Sequence, residues 1–184
     1  MARDTLSRSL HDVGLSAWFG GTLANAVALN AAASAAGDAS STGAVANAGW
    51  DRWTPVNAAA IGLHLAGSIG QLAANSERVH GQRGVGTMAV AKTALTAAAL
   101  GVTAYSRVLG RKVSKAGAVP AQSATDPHPA TPDSVATAQK QLKALQWAVP
   151  ALTGALVVVT SLAGEQQRPS EVKKGLVNRL NPAA

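Results

Sequence analysis

Few residues in this chain could do chemistry, and most of them sit in stretches that carry no charge. His64 is the clearest, midway along residues 53–76 in Gly62-Leu63-His64-Leu65-Ala66. A neutral imidazole among apolar neighbours can ligate haem or copper, relay protons, or hydrogen-bond to another helix. His11 precedes the first uncharged stretch and could join His64 only at the mouth of a helix bundle. His80 and His128 fall in connecting segments. Asn25, Asn30, Asn57 and Gln71 lie in the same uncharged stretches, where a polar side chain must find a partner. Lys92 lies about two turns into another, from which its stem could snorkel to an interface.

What is missing narrows the chemistry. The chain has no cysteine, which excludes disulfides, zinc–cysteine sites, iron–sulfur clusters and thiol catalysis. Met1 and Met88 are the only methionines, too few for a copper-transport cluster. There is no nucleophile–base pair, no pair of carboxylates at depth and no phosphate-cradling loop. No enzymatic activity is expected. The only cofactor candidates are haem or copper on His64, with His11 as a possible second ligand.

The placing of charge indicates which elements carry these residues. Only 14% of the 184 residues are charged, against about 25% in ordinary soluble domains. Residues 13–37, 53–76 and 144–164 carry no charge, and 84–106 carries only Lys92. Each is close to the roughly 20 residues a helix needs to cross about 30 Å of hydrocarbon. A soluble helix of that length shows a charged face, and these have none. The expected fold is all-α, a bundle of four transmembrane helices over residues 1–168, followed by a short tail, 169–184. The competing reading is an alanine-rich soluble bundle, since mean hydropathy is only +0.13.

Small residues recur at helical spacing: Gly20, Ala24, Ala28, Ala32 and Ala36, then Gly62 with Ala66, then Thr93, Ala97 and Gly101. In lipid, helices associate where small side chains let backbones approach, so these stripes are expected to be interhelical seams. Pro150 should kink the fourth span or mark its first turn. Residues 116–135, with four prolines, are expected to form a flexible loop ending where Asp133 or Ser134 can cap a helix. Asp38 to Asp51 is expected to be a short polar loop. Trp50, Trp53 and Trp147 suit the headgroup boundary. Arg3 and Arg8 before a long apolar run, with Ala33-Ser34-Ala35 beyond it, also allow a cleaved signal peptide. The run is longer than a signal core, and Asp4 and Asp12 spoil its basic flank.

A net charge of +7 needs no nucleic acid to explain it: basic residues border every span, without interleaved aromatics. With both termini on one side, that side holds Arg3, Arg8, Arg78, Arg83, Lys92, Arg168, Lys173, Lys174 and Arg179. The other side holds Arg52, Arg107, Arg111, Lys112, Lys115, Lys140 and Lys143. Nine against seven leaves orientation open, with a lean toward both termini inside.

The run Leu10-His11-Asp12-Val13-Gly14-Leu15-Ser16-Ala17-Trp18-Phe19-Gly20-Gly21 resembles the opening of small four-helix membrane families. They include the copper-resistance D-type domain, where a histidine is followed by an apolar turn and Trp-x-Gly-Gly. That resemblance implies that His11 is a metal or haem ligand. Trp53-Thr54-Pro55-Val56-Asn57, Ala104-Tyr105-Ser106-Arg107 and Gly164-Glu165-Gln166-Gln167-Arg168-Pro169 resemble uncharacterised multi-pass membrane proteins of high-GC actinobacteria. The expected function is a structural or interaction component of a bacterial cytoplasmic membrane. Its expected partners are lipid and either copies of itself or a larger membrane complex. The alternative is a haem- or copper-binding membrane module.

Overall fold

The computed structural model describes residues 4–82, 84–117 and 119–180, with side chains to Lys174; Arg3, Arg83 and residues 181–184 lie outside the described residues. The fold is all-α. Helix α1 (Thr5–Ala24) runs through a π-helical turn (Asn25–Leu29) into α2 (Asn30–Ser34). Then come α3 (Ala39–Ala74), α4 (Ser76–Gly81), α5 (Val85–Lys115), α6 (Asp133–Glu165) and α7 (Pro169–Leu180). Alanine, the best helix former, fills the interiors. Glycines in the left-handed region bracket α5: Gly84 at φ +86° precedes it and Gly117 at φ +78° follows it.

The four long helical segments alternate in direction. α1 packs on α3, α5 on α6 and α1 on α6, while α3 and α5 touch less. Each long helix gives one residue to the central cluster: Trp18, Ala60, Ala99 and Val149. Loss of the first 35 residues would therefore remove Trp18, the largest buried side chain.

Burial mixes polar residues into the core and leaves many large apolar ones outside it. His11, Asn30, His64, Gln139 and Thr153 are buried, while Ile69, Leu72, Val90, Val108, Val158 and Leu162 are exposed. Two buried hydroxyls, those of Thr22 and Thr153, donate to carbonyls four residues back in their own helices, as the half-buried Ser68 hydroxyl does. Among the described residues, two helices, α5 and α6, are long and apolar enough to cross a membrane. The segment through α1 and α2, and α3, match them in length but are more diluted with alanine, glycine and polar residues.

Several boundaries differ from those expected. Residues 39–51 are not a loop but the first turns of α3, a helix of 36 residues. Asp38, Ser40 and Ser41 are cap residues here: the Asp38 carboxylate accepts from both serine amides at 2.9 Å. Hydrogen bonds from the Ser41 hydroxyl and amide also hold the Asp38 carboxyl below its ordinary pKa. Pro55 consequently lies inside α3, as Pro150 lies inside α6.

Residues 119–132 contain no helix, but hydrogen-bonded turns fold them over the start of α3. Ala121 N–H donates to the Ala39 carbonyl, and the Thr131 hydroxyl donates to the Pro120 carbonyl. A Cβ on Gly43 would meet the Val119 carbonyl oxygen at 2.7 Å. α6 begins at Asp133, with Pro132 at its N-cap and no side-chain cap.

The small-residue stripes also differ from expectation. Gly20, Gly62 and Gly101 have no atom within 4 Å of a built Cβ, so these stripes face outward. The seams inside the molecule use other glycines. A Cβ on Gly21 would collide with the Trp53 ring, one on Gly49 with Leu29, and one on Gly154 would meet Phe19 at 3.1 Å. Trp53 thus packs in the α1–α3 seam, while Trp50 donates to Asn30 Oδ1 at 3.1 Å. Trp147 is half exposed.

Candidate functional site

His11 and His64 are brought together. α1 begins at Thr5, so His11 is already helical, and antiparallel α3 sets His64 beside it. The ring centroids are 4.5 Å apart at 48°, and both residues have 0% exposure. Trp18 closes one side, its ring 6.0 Å from that of His64.

Two glycines make this approach possible. A Cβ on Gly14 would fall on the Ala60 carbonyl and the His64 amide. A Cβ on Gly67 would fall on the His11 amide and the Ser7 carbonyl. The arrangement is reciprocal: His11-Asp12-Val13-Gly14 faces His64-Leu65-Ala66-Gly67, and each glycine makes room for the other helix at its histidine. The repeated His-x-x-Gly spacing was visible in the sequence and is the signal that pairs the two rings.

Hydrogen bonding orients the pair from its ends. His11 Nδ1 lies 2.8 Å from Asp12 Oδ1, and His64 Nε2 lies 3.5 Å from Thr96 Oγ1. His11 Nε2 and His64 Nδ1 are buried without a hydrogen-bond partner of normal geometry. The carboxylate of Asp12 favours a proton on His11 Nδ1, which leaves Nε2 with its lone pair.

The pair does not fit a haem. Its rings touch, and neither histidine lines any of the three cavities between the helices, so there is no slot for a macrocycle. Nor do three or more His, Asp or Glu side chains gather as a metal site among the described residues. What the geometry offers is a dry imidazole contact that ties α1 to α3 and reaches the surface through Asp12, whose side chain is 62% exposed.

The other polar residues at depth do not form one path. Asn30 donates to Gln146 Oε1 at 2.5 Å while accepting from Trp50, joining α2, α3 and α6. Asn57 lines a cavity of about 300 Å³ between α3, α5 and α6, and its Oδ1 has no partner. Gln71 lines two cavities at the opposite end, of about 300 and 400 Å³. Lys92 lines both of these with Gln71, so it faces the interior rather than the outer surface. His80 Nδ1 meets the Ser76 carbonyl, and His128 Nδ1 accepts from Ala130 N–H; both lie away from the pair.

No protein-family model matches the chain, and no curated protein or solved structure is detectably similar to it.

Proposed function

We propose that the chain is a four-span integral protein of a bacterial cytoplasmic membrane, with spans in α1–α2, α3, α5 and α6, and no enzymatic activity. One observation supports this most directly: many large apolar side chains, Ile69, Val90, Val108 and Val158 among them, are exposed while His11, Asn30, His64 and Gln139 are buried. In water such a surface would be an association or aggregation liability. In hydrocarbon it is the stable arrangement, because buried polar groups need partners and apolar ones do not. α1–α2 and α3 would then hold their alanine faces against lipid as companions to the more apolar α5 and α6.

Its role in this reading is structural or interactive, through contact with copies of itself or with other membrane proteins. The outward stripes at Gly20, Gly62 and Gly101 are the smooth faces that such contacts use in lipid. Kinship with uncharacterised actinobacterial multi-pass proteins belongs to the same reading and rests on the motifs quoted above. The haem or copper module is not favoured, because the His11–His64 contact leaves no room for a macrocycle and supplies only two imidazoles.

Two experiments test the reading. After high-speed sedimentation and an alkaline wash, the expressed protein should stay in the pellet until detergent is added. Recovery in the aqueous supernatant would overturn the membrane assignment. Crosslinking in mild detergent should report an oligomer that Ala28→Leu or Gly101→Leu weakens. Unchanged association in both variants would remove the contact role.

A further inference from the structure

The bundle end that holds the start of α1 contains a cavity whose charges are not balanced. It has a volume of about 300 Å³ and is walled by α1, α3, α5 and α6. Arg8 and Lys92 bring two positive charges to it, and Asp12 brings one negative charge. Asp12 is engaged by His11 Nδ1, and Arg8 donates to Gln167 Oε1. Lys92 makes no hydrogen bond or ion pair with any described residue, although it is two turns inside α5. Thr160, on the opposite wall, has a buried hydroxyl oxygen without a partner. The adjoining cavity of about 400 Å³ shares Lys92 and Gln71 and adds Arg78, with no carboxylate in its lining.

We infer that this cavity binds a phosphate group, either as the free anion or as the head of a phospholipid entering between the helices. An ammonium half-buried in the wall of a helix bundle without a hydrogen bond or ion pair is costly, and a bound anion lowers that cost. The lining offers several donors: the Lys92 ammonium, the Arg8 guanidinium, the Gln71 amide and the hydroxyls of Ser16 and Thr160. A tetrahedral oxyanion accepts at several oxygens at once, and a guanidinium can hold two of them. Asp12 disfavours a doubly charged guest. The monoanion, or the single charge of a phosphodiester, balances the excess. The inference rests on this cavity and stands apart from the assignment of spans, which the sedimentation experiment decides separately.

The test uses the purified full-length protein in an uncharged detergent, with unfolding followed by circular dichroism. One arm adds inorganic phosphate against chloride at equal ionic strength. The other adds phosphatidylglycerol against a phosphate-free galactolipid. At least one phosphate arm should raise the unfolding midpoint relative to its control. The arm that responds identifies the source. Lys92→Met and Arg8→Gln should each weaken the half-saturating concentration by about tenfold or more, as loss of one charge-assisted hydrogen bond implies. Lys92→Arg keeps the charge and should keep most of the effect, which separates lost binding from lost folding. Arg111→Gln, at the other end of α5, should change nothing. The inference fails if neither arm responds, or if Arg111→Gln weakens the response as much as Lys92→Met does.

Discussion

At the scale of single residues, glycines divide into two classes that the sequence alone does not separate. Gly14 and Gly67 sit where another backbone occupies the place of a Cβ, whereas Gly62 and Gly101 face open space. Gly14→Ala and Gly67→Ala should therefore force α1 and α3 apart and cost about 1–3 kcal/mol, the usual penalty for overpacking. Gly62→Ala and Gly101→Ala should be neutral or stabilise by up to about 1 kcal/mol through helix propensity. Thermal unfolding in detergent, followed by circular dichroism, distinguishes the two outcomes. Asn30 offers a second comparison: Asn30→Leu should cost about 1–3 kcal/mol, because it leaves Gln146 and the Trp50 indole without their partner.

At the scale of elements, the ends of α3 and α6 depend on carboxylates. Asp38 caps α3, and Asp126 accepts from Lys143 Nζ at 2.6 Å. The Lys143 hydrogen bond holds the Asp126 carboxyl below its ordinary range, as the Ser41 bonds do for Asp38. A depressed carboxyl pKa stabilises the fold fully above the unfolded value, about 3.9, and the contribution is lost as pH falls through the lower folded value. The unfolding midpoint should thus hold between pH 7 and pH 5 and fall below about pH 4. Asp126→Asn should make the acid decline shallower, by less than about 1 kcal/mol because the pair is solvent-screened.

How much of these elements was legible depends on how local their cause is. Runs with no charge, or with Lys92 alone, marked the centres of all four long helical segments, because helix length and apolar content are read along one chain. The start of α3 was missed because Asp38, Ser40 and Ser41 suit loops as well as caps. The small-residue stripes were visible, but spacing does not say which face of a helix meets a neighbour. His64 stood out by its surroundings. His11 was named beside it, but their ring contact was not legible, since it depends on an antiparallel register that Gly14 and Gly67 allow.

At the scale of the whole molecule, Arg8 and Arg78 both reach the segment after α6: Arg8 bonds Gln167, and Arg78 bonds the Gln166 carbonyl at 3.1 Å. The start of α1 and the segment after α6 therefore lie at one end of the bundle. In the four-span reading, tags at the two termini should be protected or cleaved together when protease is added to sealed vesicles; opposite behaviour would require an odd number of crossings. α3 adds an asymmetry. At 36 residues it is about 54 Å long, against about 30 Å of hydrocarbon, and residues 39–50 alone extend about 18 Å below Asp51 and Arg52. In the four-span reading that overhang, with the 119–132 turns folded over its tip, would stand clear of the headgroups on one side only. Because the wild-type chain lacks cysteine, a single thiol at exposed Val45 would be the sole target for an impermeant maleimide. Whether that reagent labels intact cells would then decide the sidedness that an even charge tally leaves undecided.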